Sequence, residues 1–77
     1  MITELDSVVL QTDLDAYGLK AGDIGTVVLI HGSGTGYEVE FMTLDGETVT
    51  VTSLMASQVR PIGAGEIAHV RRLESVR

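Results

Sequence analysis

The eleven residues from Gly18 to Val28 constrain the fold more than any other part of this chain. They place three glycines, Lys20 and Asp23 directly before a run of β-branched residues. Glycine is the default residue where a backbone reverses tightly, and β-branched side chains fit a pleated strand better than a helix. The stretch therefore predicts a tight turn that feeds a strand over residues 23–31. Because residues 27–30 are all apolar, we expect both faces of that strand to be covered.

The composition extends this β prediction to the whole chain. Valine, isoleucine and threonine make up 23 of the 77 residues, and cysteine is absent. A chain of this length forms one domain and buries only about 60–65 % of its unfolded surface. Because no disulfide can reinforce so small a core, we expect either a closed barrel or association with a partner.

Two further strands show a clear two-residue period. Residues 37–41 place Tyr37, Val39 and Phe41 on one face, and residues 48–52 place Val49 and Val51 on one face. A three-residue loop over residues 44–46, with glycine last, would set Phe41 opposite Val49, so that apolar residues share the inner face. The sequence predicts that loop and that register.

The remaining segments complete a five-stranded pattern. A first strand is predicted over residues 7–10, followed by a long loop over residues 11–17. Residues 53–57 can form one helical turn before a short last strand over residues 58–60, which Pro61 ends. This order resembles a small SH3-like barrel, in which a 3₁₀ turn separates the fourth and fifth strands. We therefore predict an all-β, five-stranded SH3-like barrel over residues 1–62.

Residues 63–77 are predicted to be a hinge and a short helical or partner-contacting tail. After the hinge at residues 63–65, Ile67, Val70, Leu73 and Val76 recur every three residues. A helix of about 11 residues is marginal on its own in water. It must therefore dock on the barrel, dock on another protein or on a second copy of the chain, which would make a homo-oligomer, or fray.

The charge is negative overall and unevenly distributed. Net charge is −6, with ten carboxylates against two cations in residues 1–66 and one carboxylate against three arginines in residues 67–77. An acidic barrel repels phosphates, which argues against nucleic acid as a ligand. No apolar run is long enough to span a membrane, and the first residues lack a signal-peptide pattern, so we expect a cytoplasmic protein.

No pattern in the chain indicates catalysis, a cofactor or a metal. The glycine-rich stretch over residues 32–36 precedes a strand, whereas a phosphate-binding loop precedes a helix. His31 and His69 are 38 positions apart, without the local spacing of metal ligands. Three aromatic residues are too few for a groove that binds proline-rich peptides. Glu38 and Glu40 lie about 7 Å apart along one strand face and suit a basic partner better than acid–base chemistry.

Four segments together resemble a family of short bacterial proteins catalogued as domain of unknown function 4926. The resemblance implies a small SH3-like barrel without established catalytic residues. It also suits an antitoxin or immunity role beside a toxin-like partner. The segments that carry it are residues 5–10, 18–28, 37–41 and 59–61, which span nearly the whole chain.

The sequence therefore predicts a non-enzymatic protein-binding module, in its sharpest form an antitoxin or immunity-type partner of a toxin-like enzyme. One alternative is a nucleic-acid or ribosome-associated barrel, because residues 22–27 resemble the KOW element of such proteins. Another is an accessory or maturation subunit of a larger enzyme. The candidate partner-binding residues are Glu38, Glu40, Ile67, Val70, Arg71 and Arg72.

Overall fold

The computed structural model describes residues 1–74 and shows one antiparallel β-sheet. Its five strands lie in the order β4-β3-β2-β1-β5, with two short 3₁₀ turns between them. The all-β prediction with five strands is confirmed. The elements are β1 (Ser7–Leu10), a 3₁₀ turn (Asp15–Tyr17), β2 (Ile24–His31), β3 (Gly36–Met42), β4 (Thr48–Met55), a second 3₁₀ turn (Ala56–Gln58) and β5 (Val59–Pro61).

The sheet does not close into the predicted barrel. Within residues 1–74, β4 pairs only with β3 and β5 pairs only with β1. The three residues of β5 all pair with β1, and a 3₁₀ turn of three residues separates β5 from the end of β4. The missing ladder leaves two free edges, one on β4 and one on β5.

The core lies on one face of the sheet, and β3 is at its centre. Tyr37, Val39 and Phe41 are 7 %, 0 % and 2 % exposed, which confirms that they point inward. Gly25 on β2 faces them at close range, because a Cβ atom there would lie 2.6 Å from Val39 Cγ1 and 2.9 Å from Phe41 Cε1. The other buried members of the core are Val8, Leu10, Leu19, Val27, Leu54 and Val59.

The prediction that β2 is covered on both faces is wrong. Ile24, Val28 and Leu29 are 44 %, 38 % and 46 % exposed, whereas Val27 is fully buried. The outer side of β2 is therefore only partly removed from water. A β-bulge between Val27 and Leu29 interrupts the alternation at this point.

The hairpin between β3 and β4 has the predicted loop and a different register. Thr43 N donates to Glu47 O at 2.8 Å across the three-residue loop, and Gly46 has the left-handed φ of +97°. The register then shifts between Phe41 and Met42, so Phe41 lies opposite Thr50 and not opposite Val49.

A β-bulge at Val49 explains the difference, because it adds one residue to β4 that has no partner on β3. Thr50, Thr52 and Leu54 therefore share the inner face with the core residues of β3. Val51, predicted to point inward, is 52 % exposed on the outer face, while Val49 is half-buried against the core.

The predicted C-terminal helix is not present in the described part of the tail, residues 63–74. Ile67 and Val70 of the predicted apolar stripe are 93 % and 73 % exposed, and only Leu73 packs against the core. So short a helix gains little by itself, and the charged side chains of the tail bind the sheet instead. Val76 and Arg77 lie outside the described residues.

None of the helical turns in residues 1–74 is long and apolar enough to cross a membrane.

Candidate functional site

The outer face of β2, β3 and β4 brings two carboxylates together with exposed apolar side chains. Opposed residues of neighbouring strands share a face, so the pairings of the sheet define this surface. Leu29, Glu38 and Ser53 form one row across the three strands, and Glu40 and Val51 lie in the next row. We call the surface the acidic face, and its residues are Leu29, His31, Glu38, Glu40, Val51, Ser53 and Met55.

Glu38 is held at the centre of the acidic face by two neighbours. His31 Nε2 lies 2.7 Å from Glu38 Oε2, and the hydroxyl of Ser53 donates to the same oxygen. The hydrogen bond from Ser53, followed by that from His31, lowers the pKa of Glu38 below its ordinary value of 4.5. Glu38 is therefore a fixed, ionised acceptor at neutral pH.

Glu40 has a separate hydrogen bond on the same face. The Thr48 hydroxyl donates to Glu40 Oε2 at 2.8 Å. The predicted register, with Phe41 opposite Val49, would set both glutamates opposite threonines of β4, but Ser53 and Val51 are the residues opposite them. The bulge at Val49 causes this change, because it turns the serine and the valine outward.

Exposed apolar side chains surround the two carboxylates. Leu29, Val51 and Met55 are 46 %, 52 % and 67 % exposed, and they come from the two strands that flank β3. Backbone hydrogen bonds to both neighbouring strands fix β3 in the interior of the sheet. The acidic face is therefore a rigid surface that combines apolar contact area with negative charge.

The contacts of His31, Glu38 and Ser53 fit binding better than nucleophilic catalysis. In a serine nucleophile the hydroxyl donates to an imidazole, which takes its proton. Here the Ser53 hydroxyl donates to the carboxylate, and His31 contacts the same carboxylate oxygen. In residues 1–74, no group of three or more acidic or histidine side chains is arranged to hold a metal ion.

The tail attaches to the molecule at β5 and at the turn before β2, whereas the acidic face is formed by β2, β3 and β4. Glu66 accepts a hydrogen bond from Arg60 Nη1 at 2.9 Å and another from Gly63 N at 2.6 Å. Arg71 Nε donates to Asp23 Oδ1 at 2.9 Å, and Arg71 Nη2 donates to Gly18 O at 3.1 Å. Two ion pairs thus attach the tail to β5 and to the turn before β2.

The two attachments lie at β5 and at the turn before β2, and β1 is the strand between β5 and β2 in the sheet. Val9 pairs with Arg60 on one side and with Ile24 on the other, so it faces away from the core. It is nevertheless only 7 % exposed, whereas Ile24 beside it is 44 % exposed. Of the candidate partner-binding residues, Arg71 contacts the turn before β2 of its own chain, while Ile67, Val70 and Arg72 remain exposed.

A shallow cavity of about 630 Å³ opens beside the N-terminus. The side chains around it include Ile2, Ile30, Tyr37, Ala56 and Val59, and none of the side chains that line it is charged. A ligand site usually offers a few convergent polar groups that fix orientation. The polar side chains at this cavity are the hydroxyls of Ser33 and Tyr37, whereas the acidic face has two carboxylates held by hydrogen bonds.

Sequence reasoning identified Glu38 and Glu40 but missed His31 and Ser53 as their neighbours. The contact with Ser53 depends on the bulge at Val49, since the predicted register places Thr52 opposite Glu38. The contact with His31 depends on the bulge in β2, which sets Leu29 opposite Glu38. Each contact requires one extra residue in a strand, and no local pattern in the sequence marks either position.

Comparison with known proteins gives one match. The model of the family described as Domain of unknown function (DUF4926) matches residues 4–61, which are 58 of the 77 residues. No curated protein and no solved structure matches the chain significantly. The chain therefore belongs to the DUF4926 family. All five strands and the acidic face lie within the matched region, and the tail lies beyond it.

Proposed function

We propose that this member of the DUF4926 family is a non-enzymatic protein-binding module whose acidic face holds a partner with basic side chains. The observation that carries the proposal is the combination of Glu38 and Glu40 with three exposed apolar residues on one rigid surface. Apolar patches that also contain polar groups are characteristic of protein interaction sites. The proposal takes the fold to be SH3-like, on the basis of its strand order and the 3₁₀ turn before β5.

The hydrogen bonds around the carboxylates favour binding of arginine or lysine. Ser53 and Thr48 donate to Glu38 and Glu40, so both acids are oriented before a partner arrives. Orientation in advance reduces the entropy that is lost on association. A net charge of −6 also attracts a basic partner over distance and speeds encounter at low salt.

The sharpest form of this proposal is an antitoxin or immunity-type protein that covers a toxin-like enzyme. An enzyme that acts on phosphate-containing substrates needs a basic site, and an acidic face complements such a site. An accessory or maturation subunit of a larger enzyme would use the same face. The identity of the partner distinguishes these two forms.

The distribution of cations argues against the alternative of a nucleic-acid-binding barrel. Residues 1–74 contain Lys20, Arg60, Arg71 and Arg72, of which Arg60 and Arg71 pair with carboxylates of the same chain. Binding to phosphates requires several cations that are available on one surface. The acidic face offers the opposite charge.

Quantitative co-purification from the native host tests the proposal. The Glu38→Gln/Glu40→Gln variant removes both charges of the acidic face, while Glu4→Gln/Asp15→Asn removes two exposed charges elsewhere as a matched control. We expect the wild type and the control to retain one stoichiometric partner, identified by mass spectrometry, and the first variant to lose it. Added salt should weaken the complex.

Two results would contradict the proposal. One is equal retention of the partner by both variants, because the charges of the acidic face would then be irrelevant. The other is micromolar binding of the purified chain to duplex DNA or RNA with a steep dependence on salt.

A further inference from the structure

The two edge strands of the sheet are protected very differently. β5 has three residues and ends at Pro61, and the tail attaches beside it through Arg60 and Glu66. β4 has eight residues and pairs on one side only. A strand at a sheet edge presents unpaired N–H and C=O groups that can bind another strand.

Apart from one bulge near its N-terminal end, β4 lacks the common devices that prevent such pairing. From Thr48 to Met55 the strand contains no charged residue, no proline and no glycine, and its first five residues are β-branched. The bulge at Val49 distorts one end, and the ladder from Thr50 to Met55 is regular. Natural edge strands usually carry lysine, proline, a bulge or very short length as protection.

Main-chain groups in the middle of β4 point away from the sheet. Ala56 N donates to Thr35 O at 3.2 Å, whereas Met55 N donates to the side chain of Gln58 at 2.8 Å. Because direction alternates along an antiparallel ladder, the N–H and C=O groups of Val51 and Ser53 point outward, as those of Met55 do. No strand within residues 1–74 pairs with them.

We propose that β4 pairs antiparallel with β4 of a second copy of this chain, which joins the five strands of each copy into one continuous sheet. Only residues whose main-chain groups point outward form hydrogen-bonded pairs, so Val51 lies opposite Val51 or Ser53 of the second copy. A two-fold axis makes the contact self-complementary. Val51, half exposed on the outer face, is partly covered by the same residues of the second copy.

The distribution of charge favours a second copy as the occupant. β4 carries no charge, so the contact brings no like charges directly together. Glu38 and Glu40 lie on β3, and the two copies of β3 would be three strand spacings apart, about 14 Å. That distance exceeds the Debye length of about 10 Å at 0.1 M salt. The acidic loops between β3 and β4 point to opposite ends of the antiparallel pair.

Analytical ultracentrifugation over a range of concentrations tests the pairing. We expect a reversible equilibrium between the 8.2 kDa chain and a species of twice that mass. Val51→Lys places like charges on both sides of the axis and should raise the dimer dissociation constant at least about tenfold. Val28→Lys is the matched control, because Val28 is also an exposed valine but lies on the interior strand β2. Circular dichroism confirms that both variants fold.

Hydrogen exchange of backbone amides locates the contact. The amides of Val51 and Ser53 should exchange more slowly as the concentration rises, and Val51→Lys should abolish this change. A chain that remains monomeric up to about 1 mM overturns the proposal, since that concentration far exceeds the dissociation constant of a specific dimer. A dimer that Val51→Lys does not weaken also overturns it.

The outcome for the β4 pairing can be distinguished from the outcome for partner binding at the acidic face. A monomeric chain that still captures its basic partner rejects only the β4 pairing. A dimer that captures no partner rejects only the binding function. Protection of Val51 and Ser53 that appears only in a complex with another protein identifies a foreign strand at this edge and rejects the second copy.

Discussion

The two faces of β3 differ in burial and in charge, although alternating residues of one strand form them both. Tyr37, Val39 and Phe41 are buried against the core, while Glu38 and Glu40 lie on the acidic face. The inner side chains are packed on all sides, so any change in volume there affects stability. The outer side chains interact through a few hydrogen bonds in water. Along β3, residues that determine stability therefore alternate one by one with the residues that we propose bind a partner.

The largest expected effect is that of Phe41→Ala on the inner face. Phe41 is 2 % exposed and is the largest side chain among the fully buried residues. Its truncation leaves a cavity and should lower the free energy of unfolding by about 3–5 kcal/mol. Urea denaturation measures the change, with Met42→Ala as the control, because Met42 is 50 % exposed. Equal losses in the two variants would contradict the division between the faces.

A smaller effect on the same inner face is expected for Gly25→Ala. The added Cβ would lie 2.6 Å from Val39 Cγ1 and 3.0 Å from Glu40 O. Overpacking of this kind should cost about 1–3 kcal/mol of unfolding free energy. The double variant Gly25→Ala/Val39→Ala removes the closest contact, and its loss should be less than the sum of the single losses. Additive losses would show that the close approach is not the cause.

On the outer face, Ser53→Ala should change the pKa of Glu38 and have little effect on the free energy of unfolding. The hydrogen bond from Ser53 is the first cause of the lowered pKa of Glu38, and that from His31 is the second. Ser53→Ala should therefore raise this pKa toward 4.5 by more than His31→Ala does. Titration of the carboxyl carbon by NMR measures both shifts. A larger rise of the Glu38 pKa in His31→Ala than in Ser53→Ala would mean that the imidazole is the main cause of the lowered pKa.

The dependence of stability on pH follows from the sign of the Glu38 shift. Its pKa in the folded chain is below the value of 4.5 in an unfolded chain. The contribution of Glu38 is therefore complete above about pH 4.5 and is lost as the pH falls through the folded pKa. In Glu38→Gln this part of the acid transition should be absent.

The smallest effect on folding is expected at the tail attachment. Arg60, followed by the backbone N–H of Gly63, lowers the pKa of Glu66 to about 2. The attachment is therefore complete above about pH 4.5, and it weakens as the pH falls toward 2. NMR signals of the tail should shift in that range before the core unfolds, and Glu66→Gln should shift them at neutral pH. If the NMR signals of the tail and of the core changed together as the pH is lowered, the tail would unfold cooperatively with the sheet.

The alternation of β3 was predictable because residues 37–41 place three aromatic or aliphatic side chains inward and two glutamates outward. The same use of alternation assigned the residues of β4 to the wrong faces, although the three-residue loop before this strand was predicted correctly. Valine and threonine are both β-branched and have similar shapes, so residues 48–52 satisfy either facing. The bulge that decides between the facings has no local signal in those residues.

The neighbours of Glu38 could not be predicted for a related reason. They depend on two bulges in two different strands, and an error in either one replaces the residue opposite Glu38.

The tail shows the limit of local periodicity. Its three-residue apolar repeat favours a helix, but Glu66 binds Arg60 of β5 and Arg71 binds Asp23 in the turn before β2.

The bulge at Val49 also determines where this chain can change length. A chain that lacked residue 49 would keep Thr50, Thr52 and Leu54 inward, because the deleted residue has no partner on β3. Loss of one residue after Thr50 would instead turn the rest of β4 over and expose Leu54. Position 49 is therefore a point at which insertions and deletions can accumulate among relatives of this protein without exchanging the inside and outside of the strand.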